Sequence, residues 1–357
     1  MRIGMIAPLM EAIPPKEYGG TERVVSLLVD ELIDRGHDVT LFASGDSRTK
    51  ADLVTCAPRG LRSDPDITDY IAYTITQLGT VYGQADEFDV IHNNIDYFAF
   101  PPARLTPTPT VTTTHGRLDL PEVRRVYRSF PDAPLVSISH NQRESLPAVD
   151  WIGTVYNGVD IDHYHFRPDP GDYLVFLGRI SPEKRPDRAI ELARDVGMRL
   201  VIAAKVDPVD QEYYDVAIAP LIEDSPLIEF VGEVDERQKD ALLGGAYAYL
   251  FPIDWPEPFG LTMAEAMATG TPVVAYRAGS VPEVVVDGVT GFVCDTLRDM
   301  ADAVPKVREL DRHACRRHVE QCFSPKTMAD GYEKAYEALV SEREGARTGS
   351  DRAVPVR

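Results

Sequence analysis

The chain predicts an α/β protein made of two doubly wound, Rossmann-like domains. Three observations predict it. Short aliphatic runs alternate with helix-length amphipathic stretches nearly from end to end, the pattern of parallel strands joined by crossover helices. Most of these runs are apolar throughout rather than alternating, as strands covered on both faces must be. They also fall into two sets on either side of the loop Tyr156–Pro170, in a chain of 357 residues, more than one core usually serves. Two such sheets are expected to face each other across a cleft that could hold two substrates. In each, ligands bind outside the carboxyl ends of the strands.

In the first set the strand candidates are Arg2–Ala7, Asp38–Phe42, Asp89–His92, Thr110–Thr113 and Leu135–Ser139. Between the first two, Val24, Leu27, Leu28, Glu31 and Leu32 follow helical spacing, which predicts a helix over Thr21–Arg35 closed by Gly36. The second set comprises Asp172–Gly178, Met198–Ala204, Leu227–Gly232, Tyr247–Pro252 and Pro272–Tyr276. The domains are therefore placed at 1–168 and 169–324. Met328, Tyr332, Ala335, Tyr336 and Leu339 give residues 325–341 the apolar stripe of a packed helix, expected to lie back on the first lobe. Residues 342–357 are polar and charged and read as a disordered tail.

The formal net charge of −20 speaks against a nucleic-acid partner, which calls for a basic face. Cys56, Cys294, Cys315 and Cys322 form neither a C-x-x-C pair nor a cluster with histidines, so no zinc site or disulfide framework is expected; that usage suits a cytoplasmic protein. The opening MRIGMIAPLM is too short for a signal peptide or a membrane span, and no later window is long and apolar enough to cross a bilayer. Arg117, Arg124, Arg125 and Arg128 form a locally basic stretch. It reads first as an exposed helix face, though it also suits peripheral membrane contact or a charged or lipid-linked acceptor.

The richest stretch is PEPFGLTMAEAMATGTPVVAYRAGSVPEV, Pro256–Val284, which follows a buried strand and opens a helix at Gly260. The amides of Gly260, Leu261 and Thr262 make a helix N-terminus that attracts anions such as a diphosphate. Glu257 stands before that helix and Glu265 inside it. A carboxylate grips vicinal hydroxyls because it accepts several hydrogen bonds at once. Taken alone, the two acids read more simply as a dipole-stabilising first-turn residue and a solvated helix face. Their setting favours a ligand.

These residues sit in a set of marks that resembles the GT-B glycosyltransferases, specifically the retaining family 4. The marks are YGGTERV (Tyr18–Val24), TTTHG (Thr112–Gly116), YNGVD (Tyr156–Asp160), LGRISPEKRPD (Leu177–Asp187), EFVGEV (Glu229–Val234) and the Pro256 segment, in family order along the whole chain. SISHNQR (Ser137–Arg143) resembles the branch that includes a transferase of the avilamycin pathway. The resemblance implies that Arg179 and Lys184 bind the donor diphosphate, Glu265 the ribose hydroxyls and Glu257 the hydroxyls of the transferred sugar. It implies that Gly19 and Gly20 let the backbone approach the phosphates, that His115 points toward the sugar, and that Gly232 and Val234 border the base. Bland readings stand beside these: solvated loop cations for Arg179 and Lys184, a tight turn for Gly19-Gly20, a structural hydrogen bond for His115, a turn for Asn157-Gly158.

The expected reaction is retaining transfer of a sugar from a UDP-, GDP- or ADP-sugar to a hydroxyl of a glycan, lipid-linked or natural-product acceptor. No resident cofactor and no metal are expected, since Asp64-Pro65-Asp66 and Asp160-Ile161-Asp162 carry D-x-D spacing only in loops. A nucleotide-sugar isomerase or epimerase on the same fold is the alternative, and a two-lobed solute-binding protein a more distant one.

Overall fold

The computed structural model describes residues 1–16, 19–64 and 66–351, so Tyr18 of the YGGTERV motif, Pro65 and residues 352–357 lie outside the described residues. The chain divides into two compact units. Unit 1 comprises Met1–Ile138, Arg143–Gly158 and the segment from Pro325 onward; unit 2 comprises Ser139–Gln142 and Val159–Ser324.

Unit 1 is built on seven strands: β1 (Arg2–Ile6), β2 (Asp38–Ser44), β3 (Asp52–Ala57), β4 (Val90–Asn93), β5 (Thr110–Thr114), β6 (Leu135–Ser137) and β7 (Trp151–Thr154). They lie in the order β3-β2-β1-β4-β5-β6-β7, every pair parallel. The helix Gly20–Asp34 buries Val24, Val25, Leu28, Val29 and Leu32 along one face. Gly36 at φ 87° ends it: its N–H reaches Ile33 O at 2.8 Å and the His37 N–H reaches Leu32 O at 3.0 Å, closing the last carbonyls. β3 and β7 were absent from the sequence reading. Both are edge strands, half-exposed along most of their length, so neither shows an apolar run.

The C-terminal helix packs on unit 1. Met328, Ala329, Tyr332, Ala335, Tyr336 and Leu339 are buried. The Tyr336 hydroxyl meets His92 Nδ1 at 2.7 Å, His92 Nε2 meets Thr113 Oγ1 at 2.7 Å, and Thr113 donates to the Tyr332 hydroxyl at 2.9 Å. With Thr113 donating onward, His92 carries its proton on Nε2 and accepts from Tyr336 on Nδ1. The helix spans Pro325–Asp351, past the end at 341 expected from the sequence. Its apolar stripe stops at Leu339, but an established helix propagates cheaply through Glu, Arg and Ala, so the polar stretch after Ser341 continues it.

Unit 2 carries six strands: β8 (Tyr173–Arg179), β9 (Arg199–Lys205), β10 (Ile228–Gly232), β11 (Ala248–Phe251), β12 (Val273–Tyr276) and β13 (Gly291–Cys294). Their order is β10-β9-β8-β11-β12-β13, again all parallel. Leu174, Phe176, Ile190, Leu192, Ile202, Leu250 and Val274 sit in its core. Edge strand β13, four residues opened by glycine, was also missed in the sequence. The division between units falls at Gly158–Val159 rather than at 168. His165 N–H donates to Asp240 Oδ1 at 2.8 Å, Arg167 holds the same carboxylate at 3.0 Å, and Arg316 reaches Tyr164 O at 2.8 Å, so this loop is anchored on unit 2. Ser139–Gln142 likewise belongs to unit 2. The His140 and Asn141 N–H groups each donate to the Glu283 carboxylate at 2.7 Å. Strand order reverses between β1 and β4 in unit 1 and between β8 and β11 in unit 2, which puts a crevice beyond the carboxyl ends of those strands in each sheet.

Candidate active site

In unit 2 the parallel register pairs Arg179 with Lys205 at the carboxyl ends of β8 and β9, setting two cations side by side. Neither is bare. Arg179 is hydrogen-bonded to Glu183 and has Asp210 at 3.4 Å and Asp207 at 3.8 Å; Lys205 meets Asp207 at 3.2 Å. Against the effect of burial, its own backbone N–H and then Arg179 hold the Glu183 carboxyl below its ordinary range. Burial pushes Asp210 upward despite Arg179.

The loop after β11 runs through Trp255 to Glu257, and Asp254 N–H on Glu183 O at 2.8 Å ties it to the loop after β8. Lys184 Nζ bonds Glu257 Oε2, with the Trp255 ring at 5.0 Å and the Phe251 ring at 5.6 Å. Aromatic faces and a carboxylate thus hold one ammonium in place. The downstream glycine is required for this loop. A Cβ on Gly279, at φ 53°, would lie 2.2 Å from Glu257 N. Ser280 N–H then closes on Glu257 O at 2.9 Å and Ser280 Oγ on Phe259 O at 2.8 Å.

Gly260, left-handed at φ 73°, turns the chain into the helix Leu261–Ala268; a Cβ there would meet Met263 Cε at 2.6 Å. Leu261 and Thr262 supply the first-turn amides. The Tyr249 hydroxyl, buried on β11, fixes the helix start by meeting Leu177 O at 3.1 Å and Thr262 Oγ1 at 2.7 Å. Glu265, only 4% exposed, is not a solvated helix face. Lys239 Nζ, from the helix Glu236–Gly244, sits 2.8 Å from Glu265 Oε1 and 3.0 Å from Glu236 Oε1. The sequence reading missed Lys239. Its signal was position: it stands four residues before the buried Leu243 and therefore on the packed face of its helix. Gly232, at φ 74°, and Val234 lie at and beyond the end of β10, two strands from β8.

Gly19, Gly20 and His115 belong to unit 1. A Cβ on Gly19 would lie 2.7 Å from Pro15 Cβ and 3.2 Å from Glu22 Oε2. Glu22, buried in the first turn of the helix, is pushed upward by desolvation. His115 follows β5, and its Nε2 sits 2.9 Å from Asn94 Oδ1. Asn94 Nδ2 donates to Ile6 O at 3.1 Å, so Oδ1 accepts and His115 carries its proton on Nε2. Burial lowers His115 to about 4, leaving a neutral ring with Nδ1 as acceptor. Asp96, left-handed at φ 51° and pushed up by burial to about 6, lies nearby in the same unit, accepting from the His115 backbone and from Tyr127 Oη at 3.4 Å. Asp96 left no sign in the sequence, since Asn-Asn-Ile-Asp at a strand end matches no motif.

Two family models together cover residues 18–320: "Glycosyltransferase Family 4" matches residues 18–163 and "Glycosyl transferases group 1" residues 161–320. The chain belongs to the family 4 glycosyltransferases. The unit 2 sheet and the segments bearing Arg179, Lys184, Glu257 and Glu265 fall inside the group 1 match. A phosphatidyl-myo-inositol mannosyltransferase of Mycolicibacterium smegmatis is 26% identical over 351 residues, covering 87% of this chain and 86% of that protein. A D-inositol 3-phosphate glycosyltransferase of Nocardioides is 35% identical, but over 40% of this chain and 35% of its own length. Among solved structures, AviGT4, a glycosyltransferase involved in avilamycin A biosynthesis, aligns with a TM-score of 0.75 at 25% identity, covering 96% of this chain and 98% of that one. HepE of Anabaena, solved with UDP-glucose, shares the fold with a TM-score of 0.73 at 18% identity, covering 95% and 100%. This family 4 enzyme is thus a GT-B glycosyltransferase with two parallel-sheet units. Among the described residues, no helix is long and apolar enough to cross a membrane.

Proposed function

We propose that the chain moves a sugar, with retention, from a nucleoside diphosphate sugar to a hydroxyl acceptor, and that unit 2 holds the donor. The observation that carries this is the pairing of Lys184 with Glu257 beside the helix start at Gly260. A cation for phosphate, a carboxylate for sugar hydroxyls and first-turn amides stand at the switch point of one sheet. The arriving diphosphate exchanges the carboxylates around Arg179 for its own oxygens, which a guanidinium fork suits. As the bond from the sugar's anomeric carbon to the diphosphate breaks, Arg179, Lys184 and the Leu261 and Thr262 amides stabilise the charge on the leaving phosphate. The acceptor oxygen bonds that carbon on the same face and its proton passes to the departing phosphate. Glu257 orients the sugar, Glu265 the ribose, and Gly232 and Val234 border the base. In unit 1, Gly19 and Gly20 present backbone without side chains to an anion, and neutral His115 offers Nδ1 as an acceptor to a hydroxyl.

A thermal-shift panel of UDP, GDP and ADP, with UDP first on the strength of the HepE complex, identifies the base. With the donor so found, Arg179→Ala and Lys184→Ala should each lower turnover at least about a hundredfold. Near-normal rates in both would remove the donor site from this face of unit 2. Product analysis with and without acceptor separates transfer from isomerisation.

A further inference from the structure

Lys239 is a buried ammonium with no role in the reaction described above. Its Nζ lies 2.8 Å from Glu265 Oε1 and 3.0 Å from Glu236 Oε1, and faces the Tyr164 ring at 5.5 Å. Lys239 is 8% exposed and Glu265 4%. A carboxylate so buried stays ionised only with a cation beside it; without one it takes up a proton. A protonated carboxyl is one donor and a poorer acceptor, whereas the ionised form offers about four lone-pair sites, enough for an ammonium and two hydroxyls together. The pair bridges the helices Glu236–Gly244 and Leu261–Ala268, so it also fixes where the carboxylate points.

We propose that Lys239 is the positioning residue for Glu265, and that through it the site distinguishes a ribonucleotide from its deoxy counterpart. This rests on the donor reading, in which Glu265 takes the ribose hydroxyls. Glu236 completes the arrangement by sharing the ammonium, which keeps Lys239 directed inward rather than toward solvent.

The test compares binding of whichever of UDP, GDP and ADP stabilises the full chain with binding of its 2′-deoxy form, by calorimetry. Wild type should prefer the ribonucleotide by about tenfold or more, the penalty a site pays for a hydrogen-bonding group left without its hydroxyl. Glu265→Gln and Lys239→Met should both reduce that ratio to near one, and Lys239→Arg should restore most of it. In turnover, Lys239→Met should raise the donor KM about tenfold with kcat changed less than about threefold, as loss of uniform binding does. If Lys239→Met does not fold, Lys239→Gln carries the same comparison. A ratio lost in Glu265→Gln but kept in Lys239→Met and Lys239→Gln overturns the positioning role. A ratio kept in Glu265→Gln as well overturns the assignment of ribose to Glu265, and with it the basis for this role.

Discussion

Lys184 and Glu257 form a buried ion pair between the loops that follow two neighbouring strands. Each is largely buried, at 21% and 12% side-chain exposure, and each neutralises the other. Removing one partner leaves a desolvated charge behind. Lys184→Met should therefore cost about 2 kcal/mol of stability in urea titration, the usual scale for a hydrogen bond to a charged group. The double variant Lys184→Met, Glu257→Gln should recover part of that loss. Strict additivity of the two single changes would mean that the pair carries no coupling in the unliganded protein. The Arg179 group behaves differently. Three carboxylates share one guanidinium, so deleting any one acid leaves the cation satisfied.

At the scale of the element, two glycines of similar dihedral angle do different work. Gly279, at φ 53°, has Glu257 backbone where a Cβ would go; Gly197, at φ 67°, ends the helix Pro186–Val196 with nothing within 4 Å. Gly197→Ala should cost only left-handed strain, about 1 kcal/mol, and leave nucleotide binding unchanged. Gly279→Ala must displace the loop and should weaken nucleoside diphosphate binding at least about tenfold, read by calorimetry. Equal effects of the two substitutions would show that the Glu257 loop does not depend on the close approach. The central strands could be read in sequence because their side chains are covered on both faces, and edge strand β10 because Leu227, Ile228, Phe230 and Val231 still give it an apolar run. Edge strands β3 and β7 could not, since an edge needs no continuous apolar run, and β13 is only four residues long and opens on a glycine. The C-terminal helix was read only as far as its stripe, because propagation beyond Leu339 follows from backbone propensity rather than burial.

Across the molecule, two histidines of unit 1, His92 and His115, tie stability to pH. Burial lowers His92 to about 3 and His115 to about 4, well below the ordinary 6.5. Between those values and 6.5 the unfolded chain binds protons that the folded chain refuses, so stability falls as pH drops through that window. Asp96 acts in the opposite sense. Its carboxyl is raised to about 6, so acid protonates the folded form first and offsets part of the loss between 6 and the ordinary 3.8. His115→Gln should flatten the acid limb by up to about 1.4 kcal/mol per pH unit, and Asp96→Asn should steepen it. Urea midpoints from pH 4 to 7 check both; parallel curves for the variants and wild type would refute the linkage.

The sequence by itself determined the two parallel sheets, their central strands, the helix that returns to unit 1 and the residue types of the donor loops. All of these are written in local pattern, within windows of ten or so residues, where burial and backbone propensity act. The tertiary structure decided which charge meets which. Glu265 faces Lys239 and Glu257 faces Lys184 because helices and loops far apart in the chain are packed at the ends of one sheet. It also decided that Val159–Pro168 belongs to unit 2, through Asp240 and its partners. A carboxylate's partner depends on distance in space, and spacing along the chain does not encode that distance.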